Sequence, residues 1–296
     1  MNKGVLLGIG AYVLWGFLPI YWKAIQTVPA IQILCHRVVW SLLFVLILLA
    51  LLKDWAPLRR AMRTPRTLLI YACSAILLGV NWLTYIWGVN AGFIVETSLG
   101  YFINPLISVL LGVVFLREKL RPWQWLPVGL AGAGVAYLTL SYGQLPWIAL
   151  VLAFTFGLYG LVKKTAPLGS LHSVSLETAI LFLPCLGYLW MAERAGTGAL
   201  GHSSALTNLL LVGTGVATST PLLMFGAAAR RIPLSTLGIL QYIAPTCQFL
   251  LGTLVYNEPF TMSNLVGFVL IWTALLVYTL EGVLVRRKTA LAAAGL

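Results

Sequence analysis

Ten apolar runs follow one another along this chain, and few folds can accommodate such a pattern. Read between charged or turn residues, they cover 4–22, 31–52, 67–87, 97–116, 122–140, 147–162, 171–190, 206–228, 234–256 and 261–281. A helix needs about 20 apolar residues to cross the hydrocarbon core of a bilayer, and these runs lie close to that length. Hydrocarbon offers no partner to a backbone N–H or C=O, so a spanning segment must satisfy its own groups, as a helix does. Charged residues make up 9% of the chain, against about 25% in soluble domains. Mean hydropathy is +0.95. The expected fold is an all-α membrane protein of ten transmembrane helices, with connections too short for a soluble domain.

The runs form two sets of five. Pro105, Gly112 and Glu118 are echoed 140 positions later by Pro245, Gly252 and Glu258, and Arg37 by Glu177. Thr97-Ser98-Leu99-Gly100 is echoed by Ser235-Thr236-Leu237-Gly238, and Trp15-Gly16 by Phe156-Gly157. An odd number of spans per copy makes the second copy enter the membrane from the opposite side, which is an inverted repeat. The expected units are a first five-helix repeat over 1–145, a second, inverted one over 146–285, and a cytoplasmic tail over 286–296. Proline removes a backbone donor and clashes with the preceding turn, so Pro105 and Pro245 are expected to kink two symmetry-related helices.

A net charge of +12 raises the question of nucleic acid, and the placement of the charge answers it. Of the 19 Lys and Arg, 16 fall at the termini and in alternate connections, from Lys3 and the group Lys53 to Arg66 through Arg117–Arg121, Lys163-Lys164 and Arg230-Arg231 to Arg286–Lys288. That is the positive-inside pattern, with both termini cytoplasmic. The expected partners are the lipid bilayer and a small-molecule substrate, with no nucleic acid, in the bacterial plasma (inner) membrane. Oligomeric state is left open, and a monomer suffices. Cys35, Cys73, Cys185 and Cys247 stand alone in apolar runs, so neither a metal site nor a disulfide framework is expected.

A charge at mid-membrane costs about 2.5–3.5 kcal/mol on insertion scales and should face a bundle interior or a wet cavity. Arg37, beside His36, and Glu177 lie about two turns into their spans and are expected near opposite mouths of one pathway. Asn81, Tyr85, Tyr101, Asn104, Gln241 and Tyr242, with Thr218 and Ser219, form a polar set inside the third, fourth, eighth and ninth runs. Carbonyls freed at Asn104-Pro105 and Ala244-Pro245 would add acceptors to a midplane site. Trp15 and Tyr159 would supply aromatic walls. Interhelical hydrogen bonding without any ligand is the competing account of the same polar residues. There is no H-E-x-x-H, P-loop or G-x-S-x-G pattern, so neither an enzyme nor direct use of ATP is expected. No cofactor is expected. His36 and Glu177 are the candidates for proton coupling, with uncoupled facilitation as the alternative.

At Trp15-Gly16, His36-Arg37, Asn81-Trp82, the run from Glu96 to Pro105, and Gln241-Tyr242-Ile243-Ala244-Pro245, the chain resembles the EamA-type transporters of the drug/metabolite transporter superfamily, most closely their RarD branch. The resemblance implies a ten-helix inner-membrane permease of inverted five-helix repeats that exports small molecules. Together these readings predict a secondary permease moving a small amphipathic, amino-acid-like metabolite or a drug by alternating access. A non-transporting membrane scaffold or sensor is the alternative, and an intramembrane lipid-modifying enzyme a weaker one.

Overall fold

A computed structural model describes residues 2–91, 93–143 and 145–255, and beyond them 265–266, 269–270, 272–278, 280–281 and 284. The expected tail over 286–296 (all of it), the repeat residue Glu258 and part of the run over 261–281 lie outside the described residues. The described chain is helical: α1 (Lys3–Ala24), α2 (Ala30–Leu52), α3 (Ala56–Met62), α4 (Pro65–Asn90), α5 (Ile94–Phe115), α6 (Trp125–Tyr142), α7 (Trp147–Thr165), α8 (Ser170–Arg194), α9 (Ala205–Ala229), α10 (Leu234–Gln241) and α11 (Ile243–Leu254). Among the described residues, six helices are long and apolar enough to cross a membrane, and Leu99–Phe115 is a shorter apolar one. Each of the first eight runs read from the sequence coincides with one helix. The exception to the simple pattern is α3, a short helix in the basic connection that docks Leu58 and Ala61 into a side core with Leu49 and Tyr71.

Helix ends follow local chemistry. The Asn2 side chain accepts from the Gly4 amide at 2.9 Å to start α1, and Ser204 accepts from the Thr207 amide at 3.1 Å to start α9. Gly143, at φ 78°, ends α6 in the left-handed conformation that glycine adopts without strain. The two prolines behave differently. Helix α5 runs through Pro105 without interruption, whereas the ninth run breaks at Tyr242 into α10 and α11. Pro245 has no N–H to give the Gln241 carbonyl, and the break falls where that bond is missing.

Similar helix pairings recur along the chain. Helix α1 packs on α9 and α11, and α7 packs on α4 and α5; α2 lies against α8 and α9, and α8 against α2 and α4. Gly16 lets α1 approach the α11 backbone, where an added Cβ would stand 3.2 Å from the Ala244 carbonyl oxygen; Gly157 lets α7 approach Ile107 of α5, at 2.7 Å. Helices α5 and α10 meet directly.

The segment after α5 turns back through Arg117, at φ 53°, and delivers Glu118 to the start of α10. Its carboxylate accepts from the Leu234 amide at 2.6 Å and from the Ser235 amide and hydroxyl at 2.9 and 2.7 Å. A carboxylate there meets unsatisfied N–H groups and the positive end of the helix dipole. Glu118→Ala is therefore expected to cost about 1–2 kcal/mol, read as a lower thermal midpoint of the purified protein.

Candidate functional site

The bundle has two dissimilar ends. Where α1 ends, α2 and α5 begin and α4 ends, it encloses a cavity of about 150 Å³. Helix α1 contributes Tyr12, Trp15 and Trp22 at spacings of three and seven residues, one face of a helix. Helix α2 contributes Arg37, α4 contributes Asn81, Trp82 and Tyr85, and α5 contributes Tyr101 and Asn104. The far wall is Thr218 from α9, Gln241 from α10 and Pro245 and Gln248 from α11.

Arg37 is the charged group in this lining. Its guanidinium carbon lies 4.7 Å from the ring centroids of both Trp22 and Trp82, so two indoles hold it by cation–π contact. Its Nε donates to the Thr218 hydroxyl at 3.0 Å. Among the described residues, no Asp or Glu lines the cavity or pairs with Arg37. Asn81 donates to the Leu152 carbonyl and to Thr155, both at 2.9 Å, tying α4 to α7. Tyr85 and Tyr101 meet edge-on at 5.8 Å between ring centroids. Two lining atoms, the Tyr12 hydroxyl and the Asn104 carbonyl oxygen, are buried without a hydrogen-bond partner, although such groups are normally satisfied.

Four residues expected in the site stand elsewhere. His36 is buried in α2 behind Arg37 and does not line the cavity. Tyr242 is buried, its hydroxyl donating to the Phe102 carbonyl at 3.1 Å. Glu177 and Tyr159 belong to a sealed cluster between α4, α7 and α8, toward the opposite end. There the Glu177 carboxylate takes Lys163 Nζ at 2.6 Å, the Ser74 hydroxyl at 2.6 Å, and the Tyr159 and Ser173 hydroxyls at 3.3 Å each. Lys163 also donates to the Ser173 hydroxyl. The side chains of Lys163 and Glu177 are 2% and 1% exposed, so this is a fully buried ion pair. Sequence reading counted Lys163 with Lys164 as exposed connection charge; the structure turns one lysine inward and leaves Lys164 to the carbonyls of Ala229 and Ile232.

Around that cluster the end is laced shut. Arg230 donates to the carbonyls of Ala166 and Leu168, and the Leu168 amide donates to the Tyr71 hydroxyl at 2.8 Å. His172 sits 2.8 Å from the Asp54 carbonyl. Among the cavity residues that escaped the sequence reading are Tyr12, Trp22 and Gln248. Their signal was helical spacing, since Tyr12 and Trp22 share the face of Trp15, and Gln248 lies two turns beyond Gln241.

A bundle of apolar helices around an aromatic-walled cavity with a few polar groups fits the class of a multi-pass membrane transporter. Residues 2–140 match the EamA-like transporter family. The chain is 46% identical to the protein RarD of Streptomyces exfoliatus over 97% of its own length and 91% of that protein's, and 43% identical to RarD of Escherichia coli over 98% of both. It is 45% identical to the uncharacterized transporter YojE of Bacillus subtilis over 97% of both. One crystal structure shares the fold with a TM-score of 0.72 over 95% of this chain and 98% of its own, at 16% identity. The chain belongs to the EamA-like transporter family, in its RarD branch.

Proposed function

We propose that this chain is a permease of the bacterial inner membrane that exports a small amphipathic, amino-acid-like metabolite or drug by alternating access. In this reading ten spans form two inverted five-helix repeats, 1–145 and 146–285, with both termini cytoplasmic. The observation that carries it is the contrast between the two ends: an aromatic and polar cavity around Arg37 at one, the laced Lys163–Glu177 end at the other. Support for duplication comes from the recurring pairings, α1 on α9 and α11 as α7 on α4 and α5. A carrier needs one site reached from alternate sides, and rocking of two repeats around a fixed midplane site provides it.

A pure scaffold would have no use for a cavity holding an unpartnered Asn104 oxygen and Tyr12 hydroxyl, and flux separates a permease from a sensor. Facilitated movement is favoured over proton coupling, because Glu177 is already occupied by an ammonium and three hydroxyls and lies outside the cavity.

The test is solute uptake into proteoliposomes loaded with amino acids and small amphipathic drugs. Saturable flux is expected for part of that panel, with no acceleration by an imposed pH gradient. Asn104→Leu, which fills the cavity without adding charge, is expected to reduce that flux at least tenfold while the protein remains monodisperse. Absence of flux for every solute would favour the scaffold reading.

A further inference from the structure

We infer that the solute recognised in this cavity is a small monocarboxylate with an apolar, ring-sized body, bound head-on by Arg37; this deepens the permease reading and rests on it. A guanidinium has five N–H donors in a planar fork. Here Nε is used by Thr218, and the described residues give the two Nη groups no acceptor. The indole faces of Trp22 and Trp82 each lie 4.7 Å from the guanidinium carbon and give it cation–π contact, not hydrogen-bond acceptors, which leaves the Nη edge as the donor edge for a ligand. That edge matches the two oxygens of a carboxylate, and such bidentate, charge-assisted bonds are shorter and about twice as strong as neutral ones.

Charge balance points the same way. A cation in a low-dielectric interior is costly unless paired. Among the described residues the lining offers Arg37 tyrosines, amides and a threonine but no carboxylate, so the missing counter-ion is one the solute would bring. A cationic solute would meet Arg37 as a like charge with no acid to offset it. The equivalent position in the other half argues from contrast: Glu177, 140 residues on, is neutralised internally by Lys163, whereas Arg37 is left open to the cavity. Size sets the body. A cavity of about 150 Å³ accommodates roughly one benzene-sized ring, and rings of Tyr12, Trp15, Tyr85 and Tyr101 line it.

The experiment uses purified full-length protein in nanodiscs, with thermal shift and intrinsic tryptophan fluorescence as readouts; Trp22 and Trp82 flank the binding edge. The probes are matched by shape: benzoate and phenylacetate, the amides benzamide and phenylacetamide, and the amine benzylamine. The carboxylates are expected to bind about ten- to a hundredfold more tightly than amides or amine, the range that a charge-assisted hydrogen bond supplies. Arg37→Gln is expected to abolish the preference. Arg37→Lys, with the charge but no fork, should retain only a fraction of it, and decides the matter if the Gln variant does not fold. Equal binding of the three classes, tighter binding of benzylamine, no binding of either carboxylate, or an unchanged preference in Arg37→Lys and Arg37→Gln would each overturn the inference. Arg37-dependent carboxylate binding without flux in proteoliposomes would leave it standing and remove the permease reading. Flux of amines or neutral solutes without carboxylate preference would do the reverse.

Discussion

Glu177→Gln is expected to destabilise the purified protein by about 3–5 kcal/mol, the range for leaving one member of a buried ion pair unmatched. Both side chains are sealed, at 2% and 1% exposure, so water cannot replace the lost partner. The two single variants should not be equal. Lys163→Met leaves a carboxylate that still receives hydrogen bonds from Ser74, Tyr159 and Ser173. Glu177→Gln leaves an ammonium with neutral partners alone: the glutamine carbonyl, the Ser173 hydroxyl and the Tyr159 ring. The glutamate variant should therefore melt lower than the lysine variant. The double variant Lys163→Met with Glu177→Leu should recover most of the loss, because it removes both charges and the cost of desolvating them. Thermal midpoints of the four proteins in one detergent form the cycle. A double variant as unstable as the sum of the singles would mean that the pair contributes as packing and not as charge.

The helices were legible because a bilayer leaves a backbone so few choices: where a run of about 20 apolar residues occurs, as at α2 or α9, a helix follows. Arg37, Asn81, Asn104 and Gln241 stood out for the same reason, since polar side chains in such runs need an interior to face. Lys163 did not. It adjoins Lys164 near a span end, and the positive-inside pattern accounts for both lysines equally well. Successive residues on a helix point about 100° apart, so only packing decides which of the two turns in. The same limit applies to Pro105 and Pro245, which look alike in sequence. Helix α5 continues through the first, while the second follows the break at Tyr242, and nothing local to the two prolines tells them apart. Short α3 carried no long apolar run to announce it; its buried residues are Leu58 and Ala61, in a basic stretch.

Gly238→Val is expected to destabilise the protein by about 3 kcal/mol. An added Cβ at Gly238 would stand 2.7 Å from the Pro105 carbonyl oxygen and 2.9 Å from the Ser108 Cβ, at the crossing of α10 and α5. The atom in the way is backbone, so no rotamer change can clear it. Nor can α10 shift as a body, because both its ends are fastened to the first half: Glu118 holds the Leu234 and Ser235 amides, and the Tyr242 hydroxyl holds the Phe102 carbonyl. Overpacking normally costs 1–3 kcal/mol when neighbours can give, and a site pinned on two sides belongs at the upper end. Gly238→Ala should fall between wild type and Val. Gly187→Ala is the control: no atom lies within 4 Å of a Cβ there, and the change should be neutral or stabilising by roughly 0.5–1 kcal/mol through helix propensity. Since α10 carries Gln241 at its end and α5 carries Tyr101 and Asn104, forcing the crossing apart also widens the cavity. The Val variant should accordingly lose the Arg37-dependent preference for benzoate over benzamide in protein that still elutes as a single species. A Val variant with wild-type melting and wild-type selectivity would show that α5 and α10 do not act as the rigid wall of the site.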